Sequence, residues 1–183
     1  SWILFWRTSL HVKEMKTYSN FLTELFDKPL KYRLSHSIED REEVYEFKTP
    51  KGQNIEVGII VAKNGAYEFM FDSDGDGEAT KTNKGEEFRI FATVLKILKE
   101  FVDDEAPDHF FIDAVRKEPS RVRLFQSMIR RFLQQYSDYE SRESLQGISK
   151  RELEIEKENE KAGKTKPEDR KGLIRWDLKV KPQ

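Results

Sequence analysis

The sequence predicts an α+β domain with a mixed, mostly antiparallel sheet, a central buried helix and a second, amphipathic helix. Three observations lead there. Two alternating apolar runs flank Asn64-Gly65, residues 86–102 carry apolar side chains around most of a helix, and residues 119–136 carry them on a single stripe.

The bulk properties set the frame. At 183 residues the chain is long enough to bury a real core. Thirteen Phe and three Trp argue against global disorder, while 37% charged residues is high for a compact domain, so the excess charge is expected in tails. A net charge of −1 supplies no global field toward nucleic acid or membrane, and any basic surface must be local. The absence of cysteine excludes disulfides, thiolate metal sites and cysteine nucleophiles. The apolar run Trp2-Ile3-Leu4-Phe5-Trp6 is too short for a membrane span and lacks signal-peptide flanks. These features lead to the expectation of a soluble, intracellular protein.

In chain order, Thr17 opens a helix with Tyr18, Phe21, Leu22, Leu25 and Phe26 on one face, stopped by Pro29. Short strands are expected at 31–37 and 43–48. Ile55, Val57, Ile59 and Val61 then alternate, as do Tyr67, Phe69 and Phe71. Between them Asn64 and Gly65 both tolerate positive φ, so 54–62 and 66–72 should form an antiparallel hairpin. The helix at 86–102 places Phe88, Phe91, Leu95, Leu98 and Val102 on one stripe. Val94 and Phe101 lie beside it, and Ile90 and Ile97 off it, a pattern that needs cover on more than one side. Residues 109–115 read as a buried strand. Pro119 suits the first turn of the next helix, whose core stripe is Val122, Phe125, Met128, Ile129, Phe132 and Tyr136. From 137 to 171 the chain is polar and charged, and reads as a linker or a solvated helix. Ile174, Trp176, Leu178 and Val180 alternate with charged residues as a half-buried strand, completing this sheet or adding to a neighbour's. The division that follows is an extension over 1–29, an α+β domain over 30–136, a charged linker or helix over 137–171, and a strand over 172–183.

Few motifs carry chemistry. Asp72, Asp74 and Asp76, with Gly75 and Gly77, resemble the start of a calcium loop. The pattern then fails, because position twelve is Asn83 rather than a bidentate Glu and the flank is a strand, so calcium is discounted. His11, His36 and His109 have no metal-ligand spacing, and no nucleophile elbow occurs. Lys117, Arg121, Arg123, Arg130 and Arg131 make the 119–136 helix basic. That face could lie along a phosphate backbone or meet a protein partner, but no nucleic-acid motif accompanies it, and a solvated face is the simpler account.

Strand hairpins, a long helix, a strand and a helix, in that order over residues 30–136, resemble the GNAT superfamily of N-acetyltransferases. In that family a Gly-rich turn opening the central helix holds the coenzyme A pyrophosphate on backbone N–H groups. The stretch that matches is Thr82-Asn83-Lys84-Gly85-Glu86-Glu87-Phe88-Arg89, so the resemblance implies Lys84 and Gly85 as cofactor contacts if an acyl-CoA binds. The family's next helix often carries an Asn/Ala-Arg-x-x-Leu-Tyr pattern whose Tyr protonates the departing thiolate. Here Pro119-Ser120-Arg121-Val122-Arg123-Leu124-Phe125 ends in a residue with no proton to give. Glu86 and Glu87 suit the dipole of an empty helix start but would repel a pyrophosphate. The expectation is therefore a degenerate GNAT-like scaffold with no cofactor and no catalytic residue, acetyl-CoA being the alternative.

A second resemblance concerns Met15-Lys16-Thr17-Tyr18-Ser19-Asn20-Phe21-Leu22-Thr23-Glu24, which is similar to the leader of internal head proteins of T-even-like bacteriophages. The cleavage sequence would be Leu22-Thr23-Glu24, with either Met15 as the start or the leader lying inside the chain. It implies a virion or host-cytoplasm location and phage head or tail components as partners. The first reading is thus a non-enzymatic phage protein acting by binding. The alternatives are an acyl-CoA-dependent N-acetyltransferase and, behind it, a nucleic-acid-binding accessory protein.

Overall fold

The computed structural model describes residues 28–38, 41–73 and 84–182. The helix expected over 17–26, the leader-like segment, and Asp74 and Asp76 lie outside them.

Alternation builds the sheet. Strands β1 (Tyr32–Ile38), β2 (Glu42–Lys48), β3 (Asn54–Val61) and β4 (Tyr67–Ser73) form an antiparallel meander, joined in one sheet by β5 (His109–Val115), β6 (Tyr139–Gln146) and β7 (Leu173–Val180). The seven strands run in the order β1-β2-β3-β4-β5-β7-β6. Only β4 and β5 are parallel neighbours, so the sheet is mixed and mostly antiparallel, as the sequence predicts. Between β4 and β5 runs helix α1 (Lys84–Glu105), and between β5 and β6 helix α2 (Pro119–Gln135).

Both helices lie on one face of the sheet. Phe71 of β4 meets Phe91 of α1 and Phe125 of α2, each with ring centres 5.2 Å apart. Ile55, Val57, Ile59, Phe69, Phe110, Ile112, Trp176 and Leu178 are buried beneath them. Helix α1 is apolar on several sides because it is covered on several sides. The sheet and α2 take two of them, and the chain entering β1 takes another, where Leu30 N donates to the buried Thr93 Oγ1 at 2.8 Å. Val122, Phe125, Met128, Ile129 and Phe132 of α2 are buried, and Tyr136 packs against the core. The opposite sheet face carries charge pairs. Arg175 grips Asp113 at 2.7 and 2.8 Å while lying 3.9 Å from the Phe111 ring centre, and His109 Nε2 meets Asp177 at 2.7 Å.

The structure departs from the sequence reading in two places. The hairpin at Asn64-Gly65 exists, with Val61 opposite Tyr67, but only Gly65 takes positive φ, at 80°. Asn64 instead accepts from Ala66 N through Oδ1, and Gly65 N donates to Ala62 O, so the turn is a three-residue loop closed by a left-handed glycine. The larger departure is β6, a strand inside the stretch read as charged linker or helix. It is an edge strand with Tyr139 its one buried residue, so no apolar alternation marks it. β7 lies between β5 and β6 and completes this chain's own sheet.

Beyond β6 the solvated-helix expectation describes α3 (Lys150–Lys161), which buries no residue. Ser149 and Glu152 cap its start reciprocally. Ion pairs dock it: Arg116 Nη2 to Glu156 at 2.6 Å and Arg170 Nε to Glu160 at 2.7 Å.

Candidate functional site: a split between two parallel strands

β4 and β5 pair at three positions only, Tyr67 with Phe110, Glu68 with Phe111 and Phe69 with Ile112. Past these each strand keeps its outer partner and loses the inner one. Met70–Ser73 stays paired with β3, and Asp113–Val115 stays paired with β7. The sheet therefore splits toward the carboxyl ends of its two parallel strands. The chain leaves these ends into α1 and α2, so both helix N-termini stand at the same end of the sheet as the split. Carboxyl ends of parallel strands, where the chain crosses to the next one, are where open sheets hold ligands.

Aromatic rings line the split on the helix side. Phe71, Phe91 and Phe125 form a triangle with every side 5.2 Å, and Phe125 stacks on Trp176 at 6.0 Å with planes 23° apart. Arg121, in the first turn of α2, reaches across. Its Nη2 donates to the Phe71 carbonyl at 3.2 Å, its guanidinium carbon lies 4.8 Å from the centre of the Phe71 ring, and Nη1 meets Glu118 at 3.4 Å. The Phe71 carbonyl is a strand acceptor beyond the last β4–β5 pair, and an arginine holds it where a neighbouring strand would have.

Arg121 is thus engaged at the strand end, its side chain 20% exposed. Lys117, Arg123 and Arg130 are exposed and Arg131 is half-buried. Arg123 donates to Ser120 Oγ at 3.2 Å. Lys84 and Gly85 open α1. Glu86 accepts from Lys51 N at 3.2 Å, so this carboxylate is engaged by the β2–β3 turn. Asp72 falls within β4, and no group of three metal-ligating side chains occurs among the described residues. No described helix is long and apolar enough to cross a membrane.

The sequence reading missed the acceptor at Phe71 and the cation on it. The available signal was Arg121 three residues after Glu118 on a helix start, with the strand end Phe71-Asp72-Ser73 before the α1 connection. Phe125 is packed against the rings of Phe71, Phe91 and Trp176.

No protein-family model matches this sequence, and no curated protein matches it. Among solved structures, the chain is similar to an acetyltransferase from Bacillus subtilis in complex with CoA. The identity is 10%, the match covers 83% of this chain and 99% of that one, and the TM-score is 0.47. It is also similar to a point variant of the spermidine N-acetyltransferase SpeG from Vibrio cholerae, at 10% identity over 87% of this chain and 74% of that one, with a TM-score of 0.44. Identities of this size say nothing about the chemistry of this chain.

Proposed function

We propose that the chain binds an acyl-CoA in the split between β4 and β5 and acts as an N-acyltransferase. The observation that carries the proposal is the early end of the β4–β5 ladder at the mouth of two helices, past which the Phe71 carbonyl of β4 is bonded by the Arg121 side chain and by no strand among the described residues. An extended pantetheine arm has amide N–H donors of the kind a free strand edge accepts. Backbone N–H groups at the start of α1, near Lys84 and Gly85, suit its phosphates. The engagement of Glu86 by Lys51 N lessens the repulsion that its charge would offer there. With Phe125 in place of an acid, transfer would rest on holding amine and thioester together: the amine nitrogen bonds to the acyl carbon as the C–S bond breaks, the nitrogen gives its proton to solvent and the departing thiolate takes one from solvent.

One observation favours binding without transfer. Phe125, which has no proton to give a leaving thiolate, is packed against the rings of Phe71, Phe91 and Trp176. Calorimetry with acetyl-CoA, followed by thiol-release assays with amine acceptors, separates the readings. Micromolar binding with CoA release supports the transferase, binding with no release supports the binding protein, and no binding removes both.

A further inference from the structure

The two edges of the sheet are built differently. β1 has an irregularity between Leu34 and His36 that breaks its register with β2, and such a bulge blunts an edge against further pairing. β6 has none. All eight of its residues, Tyr139–Gln146, pair in unbroken register with β7, and among the described residues β7 is its one partner strand. Ser141, Arg142 and Glu143 are exposed, so the middle of this edge is uncovered.

Edge strands are commonly protected by charge, but charges of one sign repel every register alike. β6 instead presents Glu140 and Arg142 two residues apart on one sheet face; they stand opposite Lys179 and Asp177 of β7, but neither closes to a salt bridge among the described residues. Symmetry then restricts how β6 can meet itself. Two copies pairing antiparallel are related by a two-fold axis perpendicular to the sheet, which keeps each face on its own side. Opposed residues must share a face, and the register must centre on a residue rather than between two. Centring on Arg142 sets arginine against arginine, and centring on Glu143 sets glutamate against glutamate. Centring on Ser141 sets Glu140 against the other copy's Arg142, twice, with Ser141 against itself.

We propose that β6 is a homodimer interface, at which two copies of this chain join their sheets antiparallel in the register centred on Ser141. The inference is independent of the acyl-CoA reading, and the occupant is chosen by self-complementary charge on an unbulged edge.

The test is the association state of the wild-type chain and three variants, by sedimentation velocity up to high micromolar concentration. Wild type is expected to dimerise. Glu140→Arg and Arg142→Glu each turn two attractions into two repulsions and should weaken the dimer about tenfold or more, while the doubly reversed chain should recover it. Both sites are exposed, and unchanged melting temperatures would show that the variants fold. Because the chain has no cysteine, Ser141→Cys offers a readout of register. Directly opposed Cα atoms lie about 4.5–5.5 Å apart, within disulfide reach, so this variant should cross-link on mild oxidation. Ser144→Cys, displaced from the axis, should not. A monomeric wild type, a dimer indifferent to both reversals, or cross-linking at Ser144→Cys in preference to Ser141→Cys would overturn the proposal.

Discussion

Arg121 Nη2 donates to the carbonyl oxygen of Phe71 at 3.2 Å while its guanidinium lies 4.8 Å from the centre of the same residue's ring. One side chain thus satisfies the strand acceptor that a ligand amide would need. Arg121→Ala should free it. If acyl-CoA binds along β4, the variant should bind acetyl-CoA about tenfold more tightly, the equivalent of about 1.4 kcal/mol, at the lower end of what a hydrogen bond to a charged group contributes. Calorimetry on both proteins is the check. Weaker binding by the variant would mean that Arg121 holds the ligand rather than competes with it.

Phe125 is 3% exposed and touches Phe71, Phe91 and Trp176. Phe125→Ala should cost about 3–5 kcal/mol in a chemical-denaturation experiment, the usual loss for a buried ring. Phe125→Tyr asks a different question. If the ring edge reaches the split, the added hydroxyl has a place to go, the fold keeps its stability, and an acyl-transfer assay should show a gain from the restored proton donor. A destabilised Phe125→Tyr would mean that the rings close the site to a proton donor.

Arg116 is 9% exposed and holds Glu156 at 2.6 Å and the carbonyl of Lys171 at 2.7 Å. Removing one partner of such a pair strands the other, so Arg116→Ala should cost about 3 kcal/mol. Since α3 buries no residue, its amides should exchange with solvent sooner than those of α1 in the variant. Hydrogen exchange that leaves α3 as protected as in wild type would show that other contacts hold it.

The Tyr139 hydroxyl donates to the carbonyl of Pro107, and burial, followed by the charges of Asp138 and Asp108, pushes its pKa up to about 12 from 10.0. The unfolded chain loses this proton first, so between these values the folded state binds more protons and stability falls as pH rises. The contribution is complete below pH 10 and gone above the folded value. Tyr32, Tyr45 and Tyr136 are shifted the same way, each by burial first and then by a carboxylate that accepts its hydrogen bond. Denaturation midpoints should decline through this alkaline window, and less steeply in Tyr139→Phe. An equal slope in the variant would assign the decline to the other three.

The legible parts of this fold are those where burial writes a period into the sequence. Val57 and Phe69 are 0% and 1% exposed in strands whose alternation marks them, and β5 coincides with its expected span of 109–115. β6 was invisible because an edge strand over a polar flank buries almost nothing, and Tyr139 alone makes no alternation. The candidate site was legible only as an element order. The split depends on pairs that fail to form after Phe69 and Ile112, and the Arg121 contact joins residues 50 positions apart. Neither leaves a local period. The contact of Glu86 is equally non-local, because its partner, Lys51 N, belongs to a turn 35 residues away.

The place of β7 between β5 and β6 sets a timetable. A growing chain makes β5, α2 and β6 before it makes the strand that joins them; until then β5 has only its three-pair ladder with β4, and β6 has no partner strand among the described residues. Until Val180 has been added, each presents an open flank, and α2 faces a hollow that Trp176 and Leu178 will later fill. A ribosome releases about 5–20 residues each second, so this half-built sheet persists for seconds at most during synthesis, and aggregation or chaperone capture must be outrun in that interval. The meander β1–β4, whose partners follow one another directly along the chain, carries no such delay.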